Sequence, residues 1–86
     1  MKYKNGLAKD VVRQYRCAVR EQRLRSLIAT RRELAKRTGI GYASLTEIET
    51  GRRFPSIFAA LVIADDLGCR LDDLFERRGQ GSALNN

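Results

Sequence analysis

The residues of this chain whose types and spacing carry chemistry cluster between Thr30 and Gly51, in the stretch TRRELAKRTGIGYASLTEIETG. Two short helical patterns meet there at Gly39. In the second, from about Gly41 to Thr50, Leu45 and Ile48 define the inward direction at about 100° per residue. Ala43, Thr46, Glu47 and Thr50 then face outward, with Tyr42 at the flank and first turn. An outward surface of one aromatic, small residues and a single acid is unusual for a solvated helix, which normally carries several Lys, Glu or Arg. It is the layout of a helix-turn-helix that offers its second helix to the major groove of DNA.

Other chemistries find little support. Histidine is absent, and Cys17 and Cys69 fit no paired metal-ligand spacing, so neither a metal nor any other cofactor is expected. No nucleophile stands beside a base, and no glycine-rich phosphate loop follows a strand. Asp65-Asp66 and Asp72-Asp73 read as solvated or helix-capping acids, so the chain is not expected to be an enzyme. No apolar run reaches the roughly 18 residues of a membrane span. The N-terminus lacks an apolar signal core, which points to a cytoplasmic protein with reduced, buried thiols.

The 86 residues suit one small domain, 43% hydrophobic and 31% charged, with a net charge of +7. The charge is uneven: residues 1–40 hold 12 Lys/Arg against 3 Asp/Glu, and residues 41–86 hold 5 against 7. A basic half joined to a mildly acidic one implies a side that faces a polyanion and a side that faces elsewhere.

The elements that must position the helix pair follow in order. Residues 1–9 read as a loose basic arm, 10–76 as the folded domain and 77–86 as a polar tail. From Asp10, a plausible N-cap, the pattern is helical to about Ile28, with Val12, Tyr15 and Val19 on one face; it fits one long helix or two pieces with a bend near Arg25–Ser26. No alternating run is long enough to predict a strand. Thr30 and Glu33 form a capping box, and Gly39 stops that helix. Gly51 is a second C-cap. Ser56 caps a helix whose stripe Ile57, Ala60, Leu61, Ala64 and Leu67 reads as core, with Phe58 and Val62 beside it. After Gly68, Leu71–Phe75 reads as a short last helix.

Laid out in this way, residues from about Thr30 to Phe75 resemble the Cro/repressor-type, or XRE-like, helix-turn-helix family. The resemblance rests on TRRELAKRTGI, LTEIETGRRFPS and LVIADDLGCRLDDLF. It implies an all-α, compact five-helix bundle of the lambda-repressor-like type, with the helix-turn-helix at about 30–51 and an extended or divided first helix. By position, Tyr42, Ala43, Thr46 and Glu47 match the base-reading side of the recognition helix. Ser44 matches a phosphate or base candidate, Arg31 a backbone anchor that is commonly Gln, and Arg52 and Arg53 the phosphate-touching loop. Arg32 is a further basic candidate beside Arg31. Gly41 replaces the usual Ser or Thr cap, and Arg70 stands where Ser is common. In the family an arginine of the first helix pairs with the acid at the position of Glu49. Here Arg16 or Arg20 fits, and Arg16 is preferred.

The chemistry supports part of this assignment. Ala43 suits a thymine methyl, Glu47 accepts from cytosine N4, and Tyr42 or Thr46 can donate or accept. No Arg, Asn or Gln, the usual readers of guanine and adenine, lies on the outward helix face. The expectation is a regulator, in the repressor sense, that binds double-stranded DNA as a homodimer, with Phe58, Val62, Leu71 and Phe75 as candidate dimer contacts. The alternative on the same fold is an antitoxin-like or accessory protein-interaction module.

Overall fold

Helix caps and left-handed glycines divide the chain into short elements. The structure, a computed structural model, describes residues 13–78. The arm at 1–9, the cap at Asp10, Val12 and the tail beyond Arg78 lie outside the described residues. Strand β1 is Tyr15–Cys17, followed by α1 Val19–Arg25, α2 Arg31–Thr38, α3 Tyr42–Glu49 and α4 Ile57–Leu67. A single 3-10 turn, Leu71–Leu74, leads into β2, Phe75–Arg77. No helix among these is long and apolar enough to cross a membrane.

Capping explains most of the boundaries. The Thr30 hydroxyl accepts from the Glu33 amide at 3.1 Å, and Ser56 accepts from the Ala59 amide at 3.1 Å. Helix α2 stops at Gly39, whose φ of 80° is a left-handed conformation that costs glycine little. Thr38 completes the turn, donating to the Leu34 carbonyl at 2.8 Å and accepting from the Ile40 amide at 3.2 Å.

Each element contributes at least one side chain to a single core. Val19, Leu34, Leu45, Ile48, Ile63 and Leu74 are fully buried. Burying such an aliphatic side chain contributes roughly 1.5–3 kcal/mol, so this set holds the helices around α3. Ala60 and Ala64 are buried with Ile63. The inward stripe of α4 therefore runs through Ala60, Ile63 and Ala64, and the small alanines let neighbouring helices approach. Ile57 and Leu61, expected in the core, are 59% and 48% exposed. The helix is rotated from the expected face because two alanines and one isoleucine fit the space left by α1, α2 and the 3-10 turn. Leu71 and Phe75 pack against the core, and Phe75 meets the Phe54 ring at 5.9 Å.

The N-terminal region departs most from expectation. Helical geometry at Arg13–Gln14 gives way to β1, so the helix does not run unbroken to Ile28; from β1 onward the described residues form four α-helices, one 3-10 turn and a two-stranded sheet. Strand β1 pairs antiparallel with β2 in the register Tyr15 to Arg77, Arg16 to Glu76 and Cys17 to Phe75. The pairing is extended by Ala18 N–H to the Leu74 carbonyl at 2.7 Å and Arg78 N–H to the Gln14 carbonyl at 2.6 Å. Arg77 and Arg78, assigned to the tail by sequence, are thus tied into the domain. Cys17 points into the core while Arg16, on the other face, pairs with Glu76 at 2.7 Å and Glu21 at 2.7 Å. This alternation is the strand period. The Glu21 hydrogen bond, with Glu76 behind it, raises the affinity of the Arg16 guanidinium for its proton.

The expected Arg16–Glu49 pair is consequently absent. Helix α1 begins only at Val19, and the arginine it turns toward α3 is Arg23, one turn along from the fully buried Val19. Arg23 takes the role proposed for Arg16, and Arg20 is exposed.

Candidate nucleic-acid interface

Helix α3 owes its placement to an ion-pair network at its base. Glu49, on the last turn of α3, has a fully buried side chain. Arg23 donates to it twice, Nε to Oε2 at 2.9 Å and Nη2 to Oε1 at 3.1 Å, and its Nη1 donates to the Ile28 carbonyl at 2.9 Å. Arg31, from the first turn of α2, adds Nε to Glu49 Oε1 at 3.2 Å. One carboxylate thus joins three helices, with its charge and lone pairs matched by two guanidinium groups.

On the other side, α3 is open. Tyr42, Ala43 and Glu47 are exposed, and Thr46 and Ser44 are half-buried. The residues assigned to base reading share this surface, and arginines lie at both of its ends. Arg31 and Arg32 stand over the Tyr42 ring with guanidinium carbons 6.0 and 4.7 Å from its centroid. Such contacts fix the aromatic ring and hold the two charges together. Arg31 also donates from Nη1 to Thr46 Oγ1 at 3.1 Å, while Thr46 donates to the Tyr42 carbonyl at 2.9 Å. The Thr46 hydroxyl has therefore spent its proton and one lone pair. What it offers outward is a remaining lone pair and a methyl group.

At the far end, Gly51 turns the chain back with φ 81°. The amides of Arg52 and Arg53 then reach the Glu47 carbonyl at 2.8 and 3.4 Å. This folds the loop against α3. Arg53 Nε lies 3.2 Å from Glu47 Oε1, and its Nη2 donates to Ser44 Oγ at 2.9 Å. Arg52 is exposed, and its side chain has no polar partner among the described residues.

Two helices joined at a left-handed glycine, the second buried on Leu45 and Ile48 and exposed on Tyr42, Ala43 and Glu47, form a helix-turn-helix. The family model for helix-turn-helix domains matches residues 19–74. The chain belongs to the XRE-type helix-turn-helix family. Members of this family are DNA-binding regulators of transcription, and the matched residues include α1 through the 3-10 turn. No curated protein and no solved structure matches the chain significantly.

Sequence reasoning found the outward face but missed three features of this XRE-type domain. Arg23, not Arg16 or Arg20, is the partner of Glu49. Its i, i+4 relation to Val19 is the signal that assigns it inward, once Val19 is recognised as the anchor of a helix starting there. Arg53 was read as loop charge, although the structure brings it onto the face of α3. The exposure of Ile57 and Leu61 also has no signal in the sequence, because period alone does not select which apolar stripe turns inward.

Proposed function

We propose that the chain is a transcriptional repressor that binds double-stranded DNA sequence-selectively as a homodimer, with α3 entering the major groove. The observation that carries this reading is the surface of α3: an open face of Tyr42, Ala43, Thr46 and Glu47 bounded by Arg31 and Arg32 at one end and by Arg52 and Arg53 at the other. A helix about 10–12 Å across fits a groove about 12 Å wide. Positive ends then lie against the phosphates on either side, with Ser44 beside them, while the small centre lets the backbone come close to base edges.

The second reading, an antitoxin-like or accessory protein-interaction module, is favoured by α4. Ile57, Phe58, Leu61 and Val62 form an exposed apolar set, with Phe58 77% exposed. The same set is the proposed dimer face. Leu71 and Phe75, which pack on the core, leave that face to α4.

The test is a titration of the protein against a random duplex pool at low and raised salt, followed by sequencing of the retained duplexes. A repressor enriches a two-fold motif, and its affinity falls as salt rises. Absence of binding at low salt leaves the interaction-module reading.

A further inference from the structure

The outward face of α3 has no arginine in its own sequence, yet the fold supplies one. Arg53 reaches back from the loop after α3 and lies beside Glu47, one turn below Ser44. Its Nε is 3.2 Å from Glu47 Oε1 and its Nη2 donates to Ser44 Oγ at 2.9 Å. Both charged side chains are about half exposed, at 53% and 49%. Among the described residues, Nη1 of Arg53 and Oε2 of Glu47 have no protein partner. The pair thus places a free donor next to a free acceptor on the helix surface offered to the groove.

We propose that Arg53 and Glu47 act as one unit that reads a single C·G base pair, Glu47 Oε2 accepting from cytosine N4 and Arg53 Nη1 donating to the acceptors of the paired guanine. The inference rests on the DNA-binding reading above and moves Arg53 from the phosphate contacts, which stay with Arg52 at that end, to a base pair. Three physical points lead to it. A lone carboxylate carried into the groove between two phosphate backbones is repelled, and the adjacent guanidinium removes that cost. Ser44 and Glu47 hold the guanidinium at two of its nitrogens, so its remaining donors have a direction, which a loop arginine contacting phosphate does not need. The choice of base pair follows from the groove edges. The cytosine amino donor is followed by guanine O6 and N7, two acceptors for one guanidinium. On an A·T pair the amino donor is flanked on the thymine side by a single acceptor, O4, with the 5-methyl beside it.

The experiment uses the full chain and a duplex selected by it from a random pool. Affinities of the wild type, Arg53→Lys, Glu47→Gln and the double variant are measured for that duplex and for its single base-pair changes, with melting temperature as the folding control. Lysine keeps the charge but cannot hold Glu47 and Ser44 while donating in the same plane. The expected result is that Arg53→Lys and Glu47→Gln each lose about tenfold of preference at the same C·G pair. The double variant is then no less selective than the weaker single. If Arg53→Lys keeps the wild-type base preference, or if the two variants relax different base pairs, the joint reading is overturned while selective DNA binding stands. A wild-type chain that binds no duplex, or binds all alike, overturns the repressor reading and the joint reader with it.

Discussion

Arg23 grips the carboxylate of Glu49 through two hydrogen bonds, 2.9 and 3.1 Å long, with their side chains 5% and 0% exposed. The contact joins α1 to the last turn of the presented helix, so the fold of the N-terminal region and the pose of the binding surface are one problem. Removing one partner of such a buried pair costs about 3–5 kcal/mol, and here Arg31, still 3.2 Å from Glu49, holds the loss to the lower end of that range. We predict that Arg23→Ala loses stability on that scale, a large part of the roughly 5–15 kcal/mol of a typical domain. Arg16→Ala, which breaks half-exposed pairs with Glu21 and Glu76, is expected to cost at most about 1 kcal/mol. Urea midpoints of the two variants decide it, and equal losses would show that Glu49 does not depend on Arg23.

Leu27 has a left-handed backbone, φ 63°, and a side chain 90% exposed. It follows α1 in the position where glycine is favoured, with the Ile28 amide donating to the Arg23 carbonyl at 3.1 Å. For leucine that conformation costs about 1–2 kcal/mol. Glycine removes the cost but gains about 0.4–1 kcal/mol of unfolded-chain entropy. We predict a net stabilisation of roughly 0.5–1 kcal/mol for Leu27→Gly, read as a raised melting temperature with duplex affinity unchanged. A lowered melting temperature would mean that the exposed side chain makes a stabilising contact.

Ser26 separates a part of the chain ruled by local signals from one that is not. From Thr30 onward the local signals are strong and agree: a capping threonine, glycines where φ turns positive, a capping serine and short amphipathic stretches. Those signals placed the helix-turn-helix and the outward face of α3. Before Ser26 the deciding interactions are not local. Tyr15–Cys17 is too short for periodicity to separate strand from helix, and its partner, Phe75–Arg77, lies 60 residues away. Mistaking that strand for helix moved the first-helix register and so misassigned the partner of Glu49. In α4 the obstacle is different: nine of its eleven residues are apolar, IFAALVIADDL, so more than one stripe satisfies the period. Packing against α1 and α2 chose the alanine-rich one.

That choice leaves Ile57, Phe58, Leu61 and Val62 on the outside. If they form the two-fold contact of the repressor, charges placed there repel across the axis without disturbing the core. We predict that the double variant Phe58→Asp, Leu61→Asp sediments as a monomer with its helical signal intact, and that its affinity for a two-fold duplex falls steeply while half-site binding persists. An unsubstituted chain that is already monomeric at high protein concentration removes this face from the repressor reading.

The two thiols differ in access. Cys17 is buried between β1 and the core, and burial pushes its thiol pKa up; Cys69 is half-buried, and burial followed by the nearby Asp73 raises its thiol as well. Thiolate is the reacting species, so a raised pKa slows alkylation at neutral pH and access then sets the order. The expected outcome with iodoacetamide near neutral pH is modification of Cys69 first. Cys17 reacts only as fast as the chain opens, and faster in Arg23→Ala than in the wild type. Mass spectrometry of the intact protein over time checks both points, and equal rates at the two cysteines would contradict the burial of Cys17.

Arg52 provides the contrast that isolates phosphate contact from base reading. It shares the loop with Arg53 but is exposed and has no polar side-chain partner among the described residues. A guanidinium with nothing to orient it has the geometry of a phosphate neutraliser, and each such contact adds about 0.9 to the magnitude of the slope of log K against log salt. We predict that Arg52→Ala lowers that magnitude by about this amount. All duplexes should weaken by the same factor, with melting temperature unaltered because no protein contact is lost. The measurement is the dissociation constant at four or five salt concentrations, for the selected duplex and for an unrelated one. A slope equal to the wild type would place Arg52 away from the backbone. A weakening confined to the selected duplex would make it a second base reader.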